Sequence, residues 1–285
     1  MKKILVLGSS GFLGKYLCKY LKKKKFKVYK QGRRKNSQIK LDLLKRDKVM
    51  LAILKTKPDV IINLVAETNL EKCEKSLIHA KKMNIETIKN VVQSINKIEK
   101  IKKPFLIHFS TDNVYSGKGP HNEKKIKPLN NYGKTKYLGE KEASKVLSII
   151  FRTNFIGKNQ KSLTNWIIDS LKNKKKINVY KNIYFSPLHL STISKVVVKA
   201  IKFEFTGIYN LGAENSINKA DYAFKICKKL KLNKKFLYVV NYTNKKKHVK
   251  RPLDMTLNIK KLQKKFNLPV FKLDNQINLT LKEFK

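Results

Sequence analysis

Near its start the chain reads KILVLGSSGFLGKYL, with Gly8, Gly11 and Gly14 three residues apart behind the apolar run Ile4 to Leu7. A strand that ends in GxxGxxG and continues as a helix constrains the fold strongly. The glycines let the backbone approach a pyrophosphate, the helix N-terminus offers N–H groups to it, and the strand belongs to a parallel sheet with the turn at its carboxyl edge. Taken alone, the spacing leaves a second reading open: a glycine-rich loop in a chain with a formal charge of +47.

The rest of the chain supplies the sheet. After a helix over residues 12 to 24 come a strand in FKVYKQG, a helix near 44 to 56, the apolar run DVIINLVA at 59 to 66, a helix over 77 to 97 and the strand PFLIHFST at 104 to 111. Short β-rich runs alternating with helical patterns imply a parallel sheet covered by helices on both faces. The fold class is α/β: a Rossmann doubly wound parallel sheet with a smaller C-terminal substrate-binding region. Beyond a helix starting near Tyr132 and the strand LSIIFRTNFIG, regularity weakens. SLTNWIIDSLKNKK and STISKVVVKAIKF read as helices, INVYKNIYFSPLHLST as extended pieces and GIYNLGAE as a strand. The division is residues 1–155 as an NAD(P)-binding domain and 156–285 as the substrate-binding region, with some later segments returning to the first domain and a cleft between the two.

The excess of 66 Lys and Arg over 19 Asp and Glu raises nucleic acid as a partner. Its distribution argues otherwise. Only Arg33, Arg34, Arg46, Arg152 and Arg251 are arginines, and the lysines are spread along the whole length. Sequence-reading sites concentrate Arg on one element for its bidentate fork, so no specific nucleic-acid partner is expected, only salt-sensitive adhesion. Cys18, Cys73 and Cys227 are odd in number and far apart, which fits a reducing cytoplasm. The first apolar run stops at Gly8, short of a signal-peptide core, and no run approaches a membrane span.

Two further places carry chemistry. The strand KVYKQGRR ends in Gly32, Arg33 and Arg34 with no acid nearby. An acidic residue there holds a free ribose, whereas Arg accommodates a 2'-phosphate, so the expected cofactor is NADPH, with NADH open, and Arg33 or Arg34 on the phosphate. In LNNYGKTKYLGEK, Tyr132 and Lys136 share a helix face. A phenol's ordinary pKa of about 10 is high for acid catalysis near neutrality, and a neighbouring ammonium is expected to lower it. HFSTDNVYSG, about twenty residues upstream, puts Thr111 on the same sheet edge.

Through GSSGFLG, PDVIINLVAETNLEKCE, STDNVYSG, PLNNYGKTKYLGE, IIFRTNFIG, GIYNLGAE and RPLDMTLN, in that order, the chain resembles the extended short-chain dehydrogenases/reductases. Within them it is most similar to the dTDP-4-dehydrorhamnose reductase family, and the likeness runs over nearly the whole length. The resemblance implies NADPH-dependent reduction of the C4 keto group of a nucleotide-activated deoxysugar, dTDP-4-dehydro-6-deoxy-L-mannose to dTDP-L-rhamnose, for surface polysaccharide. It implies catalytic roles for Thr111, Tyr132 and Lys136. Tyr132 would protonate the C4 oxygen, Thr111 would hydrogen-bond that oxygen, and Lys136 would hold the nicotinamide ribose. Gly8, Gly11, Phe12, Leu13 and Gly14 would face the cofactor. Asp42 and Leu43 would flank the adenine, while Leu64, Val65, Ala66 and Thr68 would line the cofactor's middle. Asp112, Asn154 and Arg251 would neighbour the substrate.

Departures from the family pattern fall on the substrate side. The family's RPxxSRL reads Arg251 to Leu257 as RPLDMTL, with Met255 and Thr256 in place of Ser and Arg, and Asn154-Phe155-Ile156 lacks the Trp often seen after FRT. Some members form a metal-bridged dimer through an acidic residue after the third glycine. Tyr16 stands there, so no metal is expected, while a homodimer remains open. An epimerase or dehydratase with bound NAD, or a noncatalytic regulatory binding subunit, are the alternatives on the same fold. The five histidines show no metal spacing, His108 reads as a packed strand residue, and Trp166 with Ile167 and Ile168 reads as the core face of a helix.

Overall fold

The structure is a computed structural model that describes residues 1–33, 37–99, 103–244 and 249–285. The chain folds as two compact units. One comprises residues 1–114, 130–152 and 194–209, the other 115–129, 153–193 and 210–285.

β1 (Lys3–Leu7), β2 (Lys27–Gly32), β3 (Ile39–Lys40), β4 (Val60–Asn63), β5 (Phe105–Thr111) and β6 (Ser148–Thr153), nearly all within the first unit, join Gly207–Leu211 in a seven-stranded sheet. The order is Gly207–Leu211, β6, β5, β4, β1, β2, β3, and β1 runs parallel to both β2 and β4, as β4 does to β5. Every residue of β4, β5 and β6 is buried, the pattern of central strands covered on both faces. The strand order reverses between β1 and β4, so the carboxyl ends of those two strands form the crevice where such sheets bind ligands.

Helices α1 (Phe12–Lys23), α2 (Arg46–Thr56), α3 (Leu70–Lys75), α4 (Leu77–Lys81), α5 (Thr87–Asn96) and α6 (Asn131–Ala143) belong to this unit. In α1, Leu13, Leu17, Cys18 and Leu21 are buried at helical spacing, and Lys22 and Lys23 lie in the last turn, where cations oppose the helix dipole favourably. Leu5, Leu7, Ile53, Ile61, Ile88 and Leu106 belong to the core cluster that joins strands to helices.

The helix expected over 77 to 97 is broken. Between α4 and α5, residues Lys82–Glu86 form one π-helical turn. Buried in it, Asn84 accepts from the Glu67 N–H at 2.8 Å and donates to Thr135 Oγ1 at 2.9 Å. Such turns accommodate an extra residue and recur near functional sites. The strand expected over 59 to 66 ends at Asn63, and residues 64 to 69 form the loop that Asn84 holds.

In the second unit Ile177–Tyr180 pairs in parallel with Leu237–Val240. Tyr184–Phe185 lies between Ile217–Asn218 and Asp254–Met255. Helix Leu163–Lys172 buries Ile167 and Ile168. Trp166, expected on that core face, is instead 45% exposed. Residues two positions apart point to different sides of a helix, and the two isoleucines with Leu171 fill the buried stripe.

Candidate active site

The glycine turn closes at the end of β1. Gly8 has φ +80°, a conformation that favours glycine, and a Cβ there would press on the Leu64 and Val65 backbone beyond β4. A Cβ on Gly14 would overlap the Gly8 carbonyl oxygen and the Ser9 backbone, so the third glycine allows α1 to pack on the turn. Gly11 is different. A Cβ there would meet only Gly8 O, at 3.2 Å, and otherwise open space. This open face beside the first turn of α1, which contains no acidic residue, fits a pyrophosphate. Gly11→Ala is therefore expected to change the melting temperature little while weakening the binding of a dinucleotide at least tenfold, measured by fluorescence titration alongside thermal unfolding.

The sequence pattern does not single out Gln31, which holds this turn. Its Oε1 accepts from Gly8 N–H at 3.0 Å, its carbonyl accepts from Ser9 N–H at 2.9 Å, and its Nε2 donates to Leu41 O at 2.7 Å. A buried Gln at the end of β2 thus fastens β1 to the segment after β3. Beyond it Arg33 is exposed at the strand's carboxyl end, while Arg34 lies outside the described residues. Asp42 is exposed and its Oδ1 accepts from Leu44 N–H at 3.0 Å. Leu43 packs into the core. Leu64, Val65 and Ala66 are half-buried and Thr68 exposed in the loop after β4. Phe12 is half-buried and Leu13 buried at the start of α1.

At the end of β5 the candidate catalytic residues meet. Asn130 caps α6 by accepting from Gly133 N–H at 2.8 Å, and this fixes the first turn, which carries Tyr132. Tyr132 is 8% exposed, and Thr111 is among the groups acting on its phenol. Thr111 Oγ1 donates to Asp112 Oδ1 at 3.2 Å and accepts from Asn113 N–H at 3.2 Å. One turn along α6, Lys136 is buried, and its Nζ donates to Phe109 O at 2.6 Å.

Burial pushes the Tyr132 phenol above its ordinary value. Thr111 works downward, while Asp112 and Cys73 push further up. The expectation that Lys136 would lower this pKa is thereby corrected: desolvation of the phenolate outweighs the neighbouring groups. Burial lowers Lys136 to about 8, and Glu140 opposes that effect.

His108 lies deeper in β5 and is buried. Asn63 Oδ1 accepts from Val65 N–H at 3.2 Å, so its Nδ2 faces His108 Nδ1, at 3.1 Å. Nδ1 is then an acceptor and the ring is neutral with its proton on Nε2. Burial, and secondarily Lys136, hold it well below the ordinary imidazole range. His108 therefore adds no second positive charge beside Lys136.

Asn154 and Arg251 belong to the second unit. Asn154 O accepts from Leu188 N–H at 3.1 Å, and Arg251 N–H donates to Asn244 Oδ1 at 2.8 Å. The Met255 and Thr256 side chains are buried. Thr256 Oγ1 donates to Asp254 Oδ1 at 2.6 Å, and Asp254 Oδ2 accepts from Gly119 N–H at 2.7 Å. Among the described residues no group of three or more His, Cys, Asp or Glu could hold a metal ion, and no helix is long and apolar enough to cross a membrane.

With this geometry in hand, comparison with known proteins places the chain. The family described as RmlD substrate binding domain matches residues 1–285. The chain belongs to that family. It is 29% identical over 237 residues to a dTDP-4-dehydrorhamnose reductase of Escherichia coli, with 76% of each chain covered. A crystal structure of a hypothetical dTDP-4-dehydrorhamnose reductase from Sulfolobus tokodaii is similar at 30% identity and TM-score 0.81, covering 92% of this chain and 94% of the other. The fold is also that of dTDP-4-dehydrorhamnose reductase from Bacillus anthracis in complex with NADP. That match has 22% identity and TM-score 0.86, with 99% of this chain and 98% of the other covered. The α/β class with its parallel sheet, read from alternating strands and helices, is the fold of these relatives.

Proposed function

We propose that this chain is an NADPH-dependent reductase of the C4 keto group of a nucleotide-activated deoxysugar, with dTDP-4-dehydro-6-deoxy-L-mannose as substrate and dTDP-L-rhamnose as product. The observation that carries the reading is the buried Tyr132, with Thr111 acting on its phenol and Lys136 one helical turn away. The family and the named activity of its relatives supply the substrate class.

When bound, the dinucleotide supplies a hydride to C4. The Gly8 to Gly14 turn, Arg33 and the loop of Leu64, Val65, Ala66 and Thr68 would hold it. A phenol of ordinary pKa, about 10, keeps its proton at neutral pH, and burial tightens that hold in Tyr132. Tyr132 then transfers that proton to the ketone oxygen as C4 becomes the alcohol. The phenolate left behind lies on the same helix face as Lys136, and Thr111 orients the phenol toward the oxygen. Asp112, Asn154 and Arg251 are the proposed substrate neighbours.

The test is NADPH oxidation by the purified protein with dTDP-4-dehydro-6-deoxy-L-mannose, the product identified by mass. Copurified NAD with no net NADPH consumption would instead indicate an epimerase or dehydratase. Binding of NADPH without turnover of any keto sugar would indicate a noncatalytic subunit.

Cofactor choice gives a further prediction. Arg33 is exposed just beyond β2, and no acid lies close to it in the sequence. Arg33→Ala should reduce the preference for NADPH over NADH about tenfold, as loss of one charge-assisted contact to a phosphate does. Equal preference in wild type and variant, read from the two kcat/KM values, would remove that role.

A further inference from the structure

Two buried charges stand behind the triad, and the proposed proton transfer uses neither. Glu140 is one helical turn beyond Lys136 on α6, and Arg152 projects from β6; each side chain is 1% exposed. Arg152 Nη2 donates to Glu140 Oε2 at 2.6 Å and its Nε to Oε1 at 2.9 Å. Ser110 Oγ donates to Oε1 at 2.5 Å, and Ser110 immediately precedes Thr111. One carboxylate therefore ties together the helix that carries Tyr132 and Lys136, the strand that ends in Thr111, and β6.

We propose that Glu140 is a positioning residue that acts through Lys136: clamped by Arg152 and Ser110, its carboxylate fixes this turn of α6 and holds a negative charge near the lysine ammonium. The proposal takes from the reductase reading the role of Lys136 at the cofactor. A buried ion pair is seldom more stabilising than apolar residues of similar volume, so stability alone gives no reason for one in this place. Its effect on Lys136 does. Residues four apart on a helix are neighbours, and Glu140 is the group that raises the pKa of Lys136 against burial, which lowers it to about 8.

The surroundings sharpen the point. On β5, burial and Lys136 itself keep His108 neutral, and the Phe109 carbonyl accepts from Lys136 Nζ. On α6 itself Tyr132 holds its proton, with Asp112 and the buried thiol of Cys73 nearby. On β6 Arg152 is spent on Glu140 in a bidentate fork. Removing the carboxylate would lower the Lys136 pKa further. Any step that needs its ammonium would then fail at a lower pH, so the alkaline limb moves toward neutrality.

The experiment reads NADPH affinity by fluorescence titration across neutral and alkaline pH, which needs no sugar. Wild type is compared with Lys136→Met, Glu140→Asp and the paired variant Glu140→Gln with Arg152→Met, which strands neither member of the ion pair. The expected result is an alkaline limb in wild type that is absent in Lys136→Met. The limb should move to lower pH in both Glu140 variants. Glu140→Asp keeps the charge and moves less. A limb unchanged in Glu140→Asp or in the folded paired variant overturns the proposal, as does a Lys136→Met profile that coincides with wild type. A shifted limb in a protein that turns over no keto sugar keeps the proposal and removes the reductase reading. An unshifted limb with full Tyr132-dependent turnover does the reverse.

Discussion

Tyr132→Phe is expected to lower turnover of the keto sugar by about 10²- to 10⁴-fold, the range for loss of a positioned general acid, while NADPH affinity stays unchanged. The phenol is held protonated, so at neutral pH it enters the reaction as a donor, and hydride arrival at C4 without a proton for the oxygen would leave a high-energy alkoxide. The Phe ring keeps the packing that Tyr132 makes with Cys73 and Ala80. Thr111 keeps its bonds with Asp112 and Asn113 when the hydroxyl is lost, so no orphaned polar group remains and the fold should lose only about 1 kcal/mol, the net value of one hydrogen bond. Steady-state kinetics with the keto sugar, paired with NADPH titration, check this. Wild-type turnover in the variant would show that another group delivers the proton.

How much of the fold and site is legible in the sequence depends on the range of the interaction concerned. GSSGFLG declares a strand, a turn and a helix because the demand on Gly14 comes from Gly8 and Ser9 close by and that on Gly8 from its own φ of +80°, although Leu64 and Val65 from beyond β4 crowd Gly8 as well. The helical spacing of Tyr132 and Lys136 is equally local. The sign of the Tyr132 pKa shift is not readable, because a spacing of four reveals a neighbour but not the desolvation that outweighs it. The π turn at Asn84 is hidden for a similar reason: its bonds reach Glu67 and Thr135, and nothing in the periodicity of residues 77 to 97 registers them. Gln31 looks like an ordinary polar strand end. Glu140 does carry a signal, an acid four residues after the lysine in KYLGEK. So does Arg152, a charge within IIFRT, yet only the fold brings the two together.

Arg152→Met should be the most damaging substitution to stability, at about 3–5 kcal/mol, because it strands the Glu140 carboxylate in the interior with the Ser110 hydroxyl still donating to it but the guanidinium gone. The paired variant Glu140→Gln with Arg152→Met should recover most of that loss, since it removes both charges and keeps an amide that Ser110 can still donate to. Denaturant midpoints at unchanged slope measure the cycle directly. The contrast separates two roles that one substitution confuses. If the clamp served the fold alone, restoring stability in the paired variant would restore the wild-type pH profile of NADPH binding as well. If Glu140 acts on Lys136, stability returns while the profile stays displaced. A loss below about 1 kcal/mol in Arg152→Met would mean that water reaches the carboxylate and screens it as at a surface, and the buried fork seen between Arg152 and Glu140 would then have no hold on α6.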